Sequence, residues 1–127
     1  MSKREEAIKY KMSGYNCCQA VLVAFKDELG YSEEEVMKLG AAFCLGMGNM
    51  EGTCGALIGA EMILGKLKYT GRPIIPQAKA LMESFKEKSG STVCGELKGI
   101  KTGEILCDCN TCVGNAVSAL EEILGNN

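Results

Sequence analysis

The chain has 127 residues, 46% hydrophobic and 24% charged, with a formal net charge of −2; it is long enough to bury a core and lacks the basic excess that nucleic-acid binding requires. It contains no histidine and no tryptophan, so imidazole bases, Cys-His nucleophile pairs, histidine-ligated zinc and the Cys-x-x-Cys-His haem attachment are excluded. Eight cysteines remain, and any chemistry written in this sequence falls to sulfur.

Helix signals recur in chain order. Ser2 with Glu5 forms a capping box that opens a first helix to about Met12, and Asn16 with Gln19 opens a second, carrying Val21, Ala24, Phe25 and Leu29 before Gly30 stops it. Ser32 with Glu35 opens a third. Its apolar positions Val36, Leu39 and Phe43 keep a three-to-four spacing, and it is expected to end in the cluster Gly46, Gly48 and Gly52. Thr53 caps a fourth helix through Ala56, Leu57, Ala60 and Leu64, where Gly55 and Gly59 leave room for a neighbouring backbone.

The stretch from Tyr69 to Pro76 holds both prolines and reads as a loop; Ala78, Leu81, Met82 and Phe85 then trace a fifth helix to about Gly90. A short turn covers Ser91 to Gly99. The last helix carries Val113, Ala116, Val117, Leu120 and Leu124 on one stripe and stops at Gly125. Strand-like alternation is arguable only from Glu104 to Cys107. The expected fold is therefore all-α, a single compact bundle of six or seven short helices forming one domain over residues 1–127.

The charged first residues contain no apolar leader, which places the thiols in a reducing cytoplasm as an expectation. The apolar stretch from Ala41 to Gly65 is broken by Glu51 and Glu61 and by its glycines, so no membrane span is expected. Gly46-x-Gly48 with Gly52 lacks a preceding strand and the spacing of a nucleotide loop, and reads as a tight turn. Glu51 and Glu61 flank the Cys54 helix and read as solvated carboxylates, with proton shuttling as the alternative. The seven methionines read as core filler.

The cysteines are not scattered. Cys17 and Cys18 follow the cap Asn16, Cys54 follows Thr53, Cys94 follows Ser91 and Thr92, and Cys112 follows Asn110 and Thr111. Four expected helix starts thus carry a cysteine in the first turn, where free N–H groups and the positive end of the helix dipole favour thiolate. A second pattern, Cys107-x-Cys109-x-x-Cys112, has the tight spacing with which short loops present sulfurs to metal and iron–sulfur sites.

On these residues the chain resembles the C_GCAxxG_C_C family of small redox-active proteins. The elements appear in order: Asn16-Cys17-Cys18-Gln19-Ala20-Val21-Leu22; Gly46-Met47-Gly48 leading to Cys54-Gly55-Ala56-Leu57-Ile58-Gly59-Ala60; Cys94-Gly95-Glu96-Leu97 with Gly99; then Cys112 with Val117. The resemblance implies that the hallmark thiols are Cys17, Cys54, Cys94 and Cys112, and that the role is redox, in company with an oxidoreductase or electron-transfer partner. The family is also similar to the iron–sulfur part of split-Soret cytochromes, which implies a cysteine-bound cluster on the same four residues. Cys18, Cys44, Cys107 and Cys109 are extra to the pattern, and whether Cys107 or Cys109 supplements or replaces a hallmark thiol stays open.

Three functional readings follow. The leading one is electron transfer through an iron–sulfur cluster held by Cys17, Cys54, Cys94 and Cys112. The second is metal-free thiol–disulfide exchange using the same residues as attacking and resolving sulfurs. The third is a zinc-stabilised helical module without catalysis. Whether the protein is itself an enzyme is undecided at this level, and its glycine-rich helix faces make a homodimer an expectation.

Overall fold

The computed structural model describes residues 1–125, and among them the chain is all-α. It forms α1 (Lys3–Met12), α2 (Cys17–Ala24), α3 (Lys26–Leu29), α4 (Glu33–Gly40), α5 (Gly55–Lys68), α6 (Ile75–Ser89), α7 (Cys94–Lys98) and α8 (Cys109–Gly125). Six of these are of the expected size; α3 and α7 are single turns. All three expected capping boxes form, with Ser2, Asn16 and Ser32 each accepting from the backbone of the residue three positions on.

Helix α8 occupies the centre and packs on α1, α2, α5 and α6. Its run Cys112 to Val117 is buried on every side, as a helix enclosed by others must be. Helix α2 lies between α1, α4, α5 and α8 and is buried from Ala20 to Ala24. Leu22, Leu57, Ile63, Leu64, Leu81, Phe85 and Leu120 fill the space between them, each contributing roughly 1.5–3 kcal/mol through burial. Two glycines set the spacing. A β-carbon at Gly59 would lie 3.1 Å from the Cys18 carbonyl oxygen, and one at Gly114 would lie 2.8 Å from Cζ of Arg4. Arg4 uses that approach to donate to Asn115 Oδ1 at 3.3 Å and to Ser118 Oγ at 2.9 Å, joining α1 to α8.

Several boundaries differ from those expected. The second helix breaks at Phe25, whose φ of −110° ends α2 and starts α3. The third stops at Gly40, so Phe43 lies in a loop and Leu39 is 47% exposed. Pro76 falls in the first turn of α6, where its missing N–H costs nothing. The turn at 91–99 contains helix α7. Glu104 to Cys107 forms no strand; the single β-bridge among the described residues pairs Thr53 with Val93. The methionines fill the core only at its edge: Met37 and Met62 pack against it partly buried, whereas Met1, Met12, Met47 and Met82 are exposed. No helix among the described residues is long and apolar enough to cross a membrane.

Candidate functional site

The thiols meet because helix starts meet. Asn16 Oδ1 accepts from the Gln19 N–H at 2.8 Å and Gln19 Oε1 accepts from the Asn16 N–H at 3.1 Å, which fixes Cys17 as the first residue of α2. The same two side chains donate to the Gly40 and Met37 carbonyls, tying this corner to the end of α4. At the next corner the bridge between Thr53 and Val93 is extended on both sides. The Cys54 N–H donates to the Thr92 carbonyl at 2.8 Å, the Cys94 N–H to the Gly52 carbonyl at 3.0 Å, and the Gly95 N–H to the Met50 carbonyl at 2.8 Å.

Two helix starts lie elsewhere than expected. Cys54, not Thr53, is the N-cap of α5. Helix α8 opens at Cys109, three residues ahead of Cys112, because Asp108 accepts from the Thr111 N–H at 2.9 Å and from its hydroxyl at 3.0 Å. Asp108 therefore does the capping expected of Asn110 or Thr111. The first turn of α8 presents two thiols, Cys109 and Cys112, spaced i, i+3 on one face.

These corners enclose a cavity of about 260 Å³ whose wall includes Cys17, Cys44, Cys54, Cys94, Cys107, Cys109 and Cys112. Seven of the eight cysteines face one space, and neither aspartate nor glutamate shares it with them. All four hallmark thiols and both accessory candidates are there. Cys44 is a member that spacing alone does not single out. Cys18 is the exception: it is fully buried against Gly55 and Gly59, and burial pushes its thiol up to about 12.

Two pairs of thiols influence one another across the wall. The Cys112 thiol near Cys54, with the Ala56 and Leu57 N–H groups, holds Cys54 down at about 7 against the effect of burial, while Cys112 is raised by that neighbour and by burial. The Cys17 thiol near Cys109, with the bond donated by Lys98 Nζ, holds Cys109 down at about 5; Cys17 is raised by that neighbour and by burial. The direction at Cys54 is the one a helix start favours, whereas Cys17 and Cys112 are shifted the other way by burial and a neighbouring sulfur. Burial also raises Cys94.

Cys107 supports the wall. Its N–H donates to the Leu97 carbonyl, its carbonyl accepts from the Cys112 thiol at 3.6 Å, and its sulfur accepts from Asn115 Nδ2 at 3.7 Å. Sequence reasoning misses Lys11 and Lys98, the two cations on the wall. The signal for Lys98 exists: it stands one turn after Cys94 on the same short helix. Glu51 is exposed and bonded to Asn49, and Glu61 lines a separate groove with Leu57 and Met82, so neither serves a thiol in this cavity. Among the described residues no three Cys, Asp or Glu side chains are grouped so that they could hold a metal ion.

The chain is thus an all-α protein that turns seven cysteines onto one cavity. The family model described as "Putative redox-active protein (C_GCAxxG_C_C)" matches residues 15–123, and the chain belongs to that family. No curated protein and no solved structure matches it.

Proposed function

We propose that this protein transfers electrons through an iron–sulfur cluster held by the cysteines of its cavity. The observation that carries the reading is the composition of the wall: seven thiols delivered from separate corners, with no competing carboxylate. Soft thiolate sets of this kind select iron–sulfur clusters, zinc or copper(I).

The residues fit such a group in donor type, number and charge. An iron–sulfur cluster, when bound, supplies one-electron chemistry whose potential follows net charge and hydrogen bonds to sulfur. Lys11 and Lys98 offset the negative charge that thiolates bring into the cavity. The Ala56 and Leu57 N–H groups bond the Cys54 sulfur and fix its direction. Leu45 and Leu97 complete an apolar part of the wall. The electron partner would be another oxidoreductase, and a reducing cytoplasm would keep the thiols available.

A second reading, metal-free thiol–disulfide exchange, is favoured by the lowered Cys54 and Cys109 thiols, which share the cavity wall with further thiols that would resolve a mixed disulfide. A visible spectrum of anaerobically purified protein separates the two. Absorbance that bleaches on reduction supports the cluster. Colourless protein that stays colourless after anaerobic addition of iron and sulfide rejects it and leaves exchange.

A further inference from the structure

We propose that two copies of this chain pair along the outer face of α5, parallel and related by a two-fold axis, with Glu61 of each copy facing Lys66 of the other.

Two glycines of α5 are already in use, since Gly55 and Gly59 let the helix close on Cys18 within the chain. The outer face is different in kind. Ile58, Met62 and Gly65 are partly exposed along it, and Tyr69 at its C-cap is exposed. The spacing 58, 62, 65, 69 alternates four and three residues, as the seam of a two-stranded coiled coil does. Nothing lies within 4 Å of a β-carbon added at Gly65, so the middle of the seam is open. A groove runs down each side of it. One contains Ile58, Glu61, Met62 and Met82, the other Tyr31, Leu39, Met62, Lys66 and Tyr69. Met62 belongs to both, so the apolar surface is continuous across the helix.

The charges choose the occupant. The Glu61 carboxylate is only partly exposed in its groove, yet among the described residues it makes no hydrogen bond or ion pair. Lys66 lies over the Tyr31 ring at 5.1 Å with no carboxylate against it among the described residues. With Met62 and Gly65 as the a and d positions of the seam, Glu61 is a g and Lys66 the following e, the positions whose side chains meet across a parallel pair. A two-fold axis along the seam makes that contact twice and turns the groove holding Met82 toward the groove holding Leu39. An antiparallel pair would set Glu61 against Glu61 and Lys66 against Lys66, so the charges fix the direction as well as the partner. Parallel α5 helices place both Cys54 corners at the same end of the dimer. One helix face with its two grooves suits a dissociation constant that is roughly micromolar or weaker. In dilute protein the chains are therefore separate, and Glu61 keeps its unpaired carboxyl.

Sedimentation equilibrium under reductant, which removes disulfides between chains, tests the pairing. The mass should rise from one chain toward two between about 1 µM and 1 mM; a single-chain mass at every concentration overturns the proposal. Glu61→Lys and Lys66→Glu should each weaken association about tenfold or more, with circular dichroism checking that both variants stay helical. The double variant, with the charges exchanged, should recover the wild-type constant to within about threefold, which a damaged fold would not do. Single variants that associate as tightly as wild type, or a double variant that fails to recover, overturn the Glu61–Lys66 contact. Carbodiimide treatment of a mixture of isotope-labelled and unlabelled chains should join Glu61 of one to Lys66 of the other. A dimer without that cross-link overturns the parallel register.

Discussion

A β-carbon added to Gly46 would lie 2.5 Å from Cβ of Cys94, and Gly46 also holds a φ of +57°. The loop before α5 therefore touches the α7 start at a point where only a hydrogen fits, and Leu45, Met47 and Met50 share its left-handed backbone without being glycine. Such strain persists where surroundings enforce it. Gly46→Ala combines a left-handed alanine with a clash against packed structure, and is expected to cost about 2–4 kcal/mol in urea unfolding. A cost under about 1 kcal/mol would show that this loop is not held against α7.

Two other glycines separate rigid from yielding neighbours. A β-carbon at Gly55 would lie 2.4 Å from the Phe43 carbonyl oxygen, a backbone atom, whereas at Gly114 it meets the ends of the Arg4 and Ile8 side chains. Gly55→Ala should destabilise by about 1–3 kcal/mol, and Gly114→Ala should stay within about 1 kcal/mol of wild type because helix propensity offsets a displaced arginine. The reverse order of the two urea midpoints would contradict this packing.

The corner at Asn16 is predicted to carry both stability and site geometry. Asn16→Ala removes the cap on α2 and its bond to the Gly40 carbonyl, with an expected loss of about 1 kcal/mol. Faster alkylation of Cys17 in the same variant would show that the cap also holds the first wall thiol in place; an unchanged rate would show that it does not.

In cluster-free protein Cys109 should be the first thiol to react with iodoacetamide below neutrality, because it is partly exposed and held down at about 5 by Cys17 and Lys98. Cys17→Ala and Lys98→Gln each remove one of these neighbours, so each should move the midpoint of its pH–rate curve upward. A midpoint that stays in place in both variants would mean the thiolate is stabilised by something else.

Glu61 offers a pH test away from the cysteines. Burial raises it to about 7, so between the ordinary glutamate range and about 7 the folded chain binds more protons at this site than the unfolded chain does. Its contribution is therefore present in acid and lost as pH rises through that window. Glu61 is partly exposed, so the effect is screened. Glu61→Gln should gain stability relative to wild type between pH 4.5 and pH 8; a difference that is flat with pH would contradict the shift.

The helical class and the redox family were legible because capping boxes and the Cys-Gly-Ala-x-x-Gly element are local signals, written within four to six residues at Ser2, Asn16, Ser32 and Cys54. What the sequence left open depends on contacts between distant segments. Asp108 takes the capping role from Asn110 through hydrogen bonds that spacing does not rank. The bridge between Thr53 and Val93 joins segments about forty residues apart and fixes two corners of the site. Cys44 lines the cavity from the loop that leads into the left-handed residues Leu45 and Met47, a placement no local signal announces. Burial and a neighbouring sulfur raise Cys17 and Cys112 against the direction a helix start favours, an influence that arises between distant segments.

Native mass spectrometry of the anaerobically purified chain tests the central claim most directly. The account predicts a species heavier than the bare polypeptide by equal numbers of iron and sulfide, with acid releasing both. A mass equal to the bare chain, unchanged after anaerobic incubation with iron and sulfide, would contradict it.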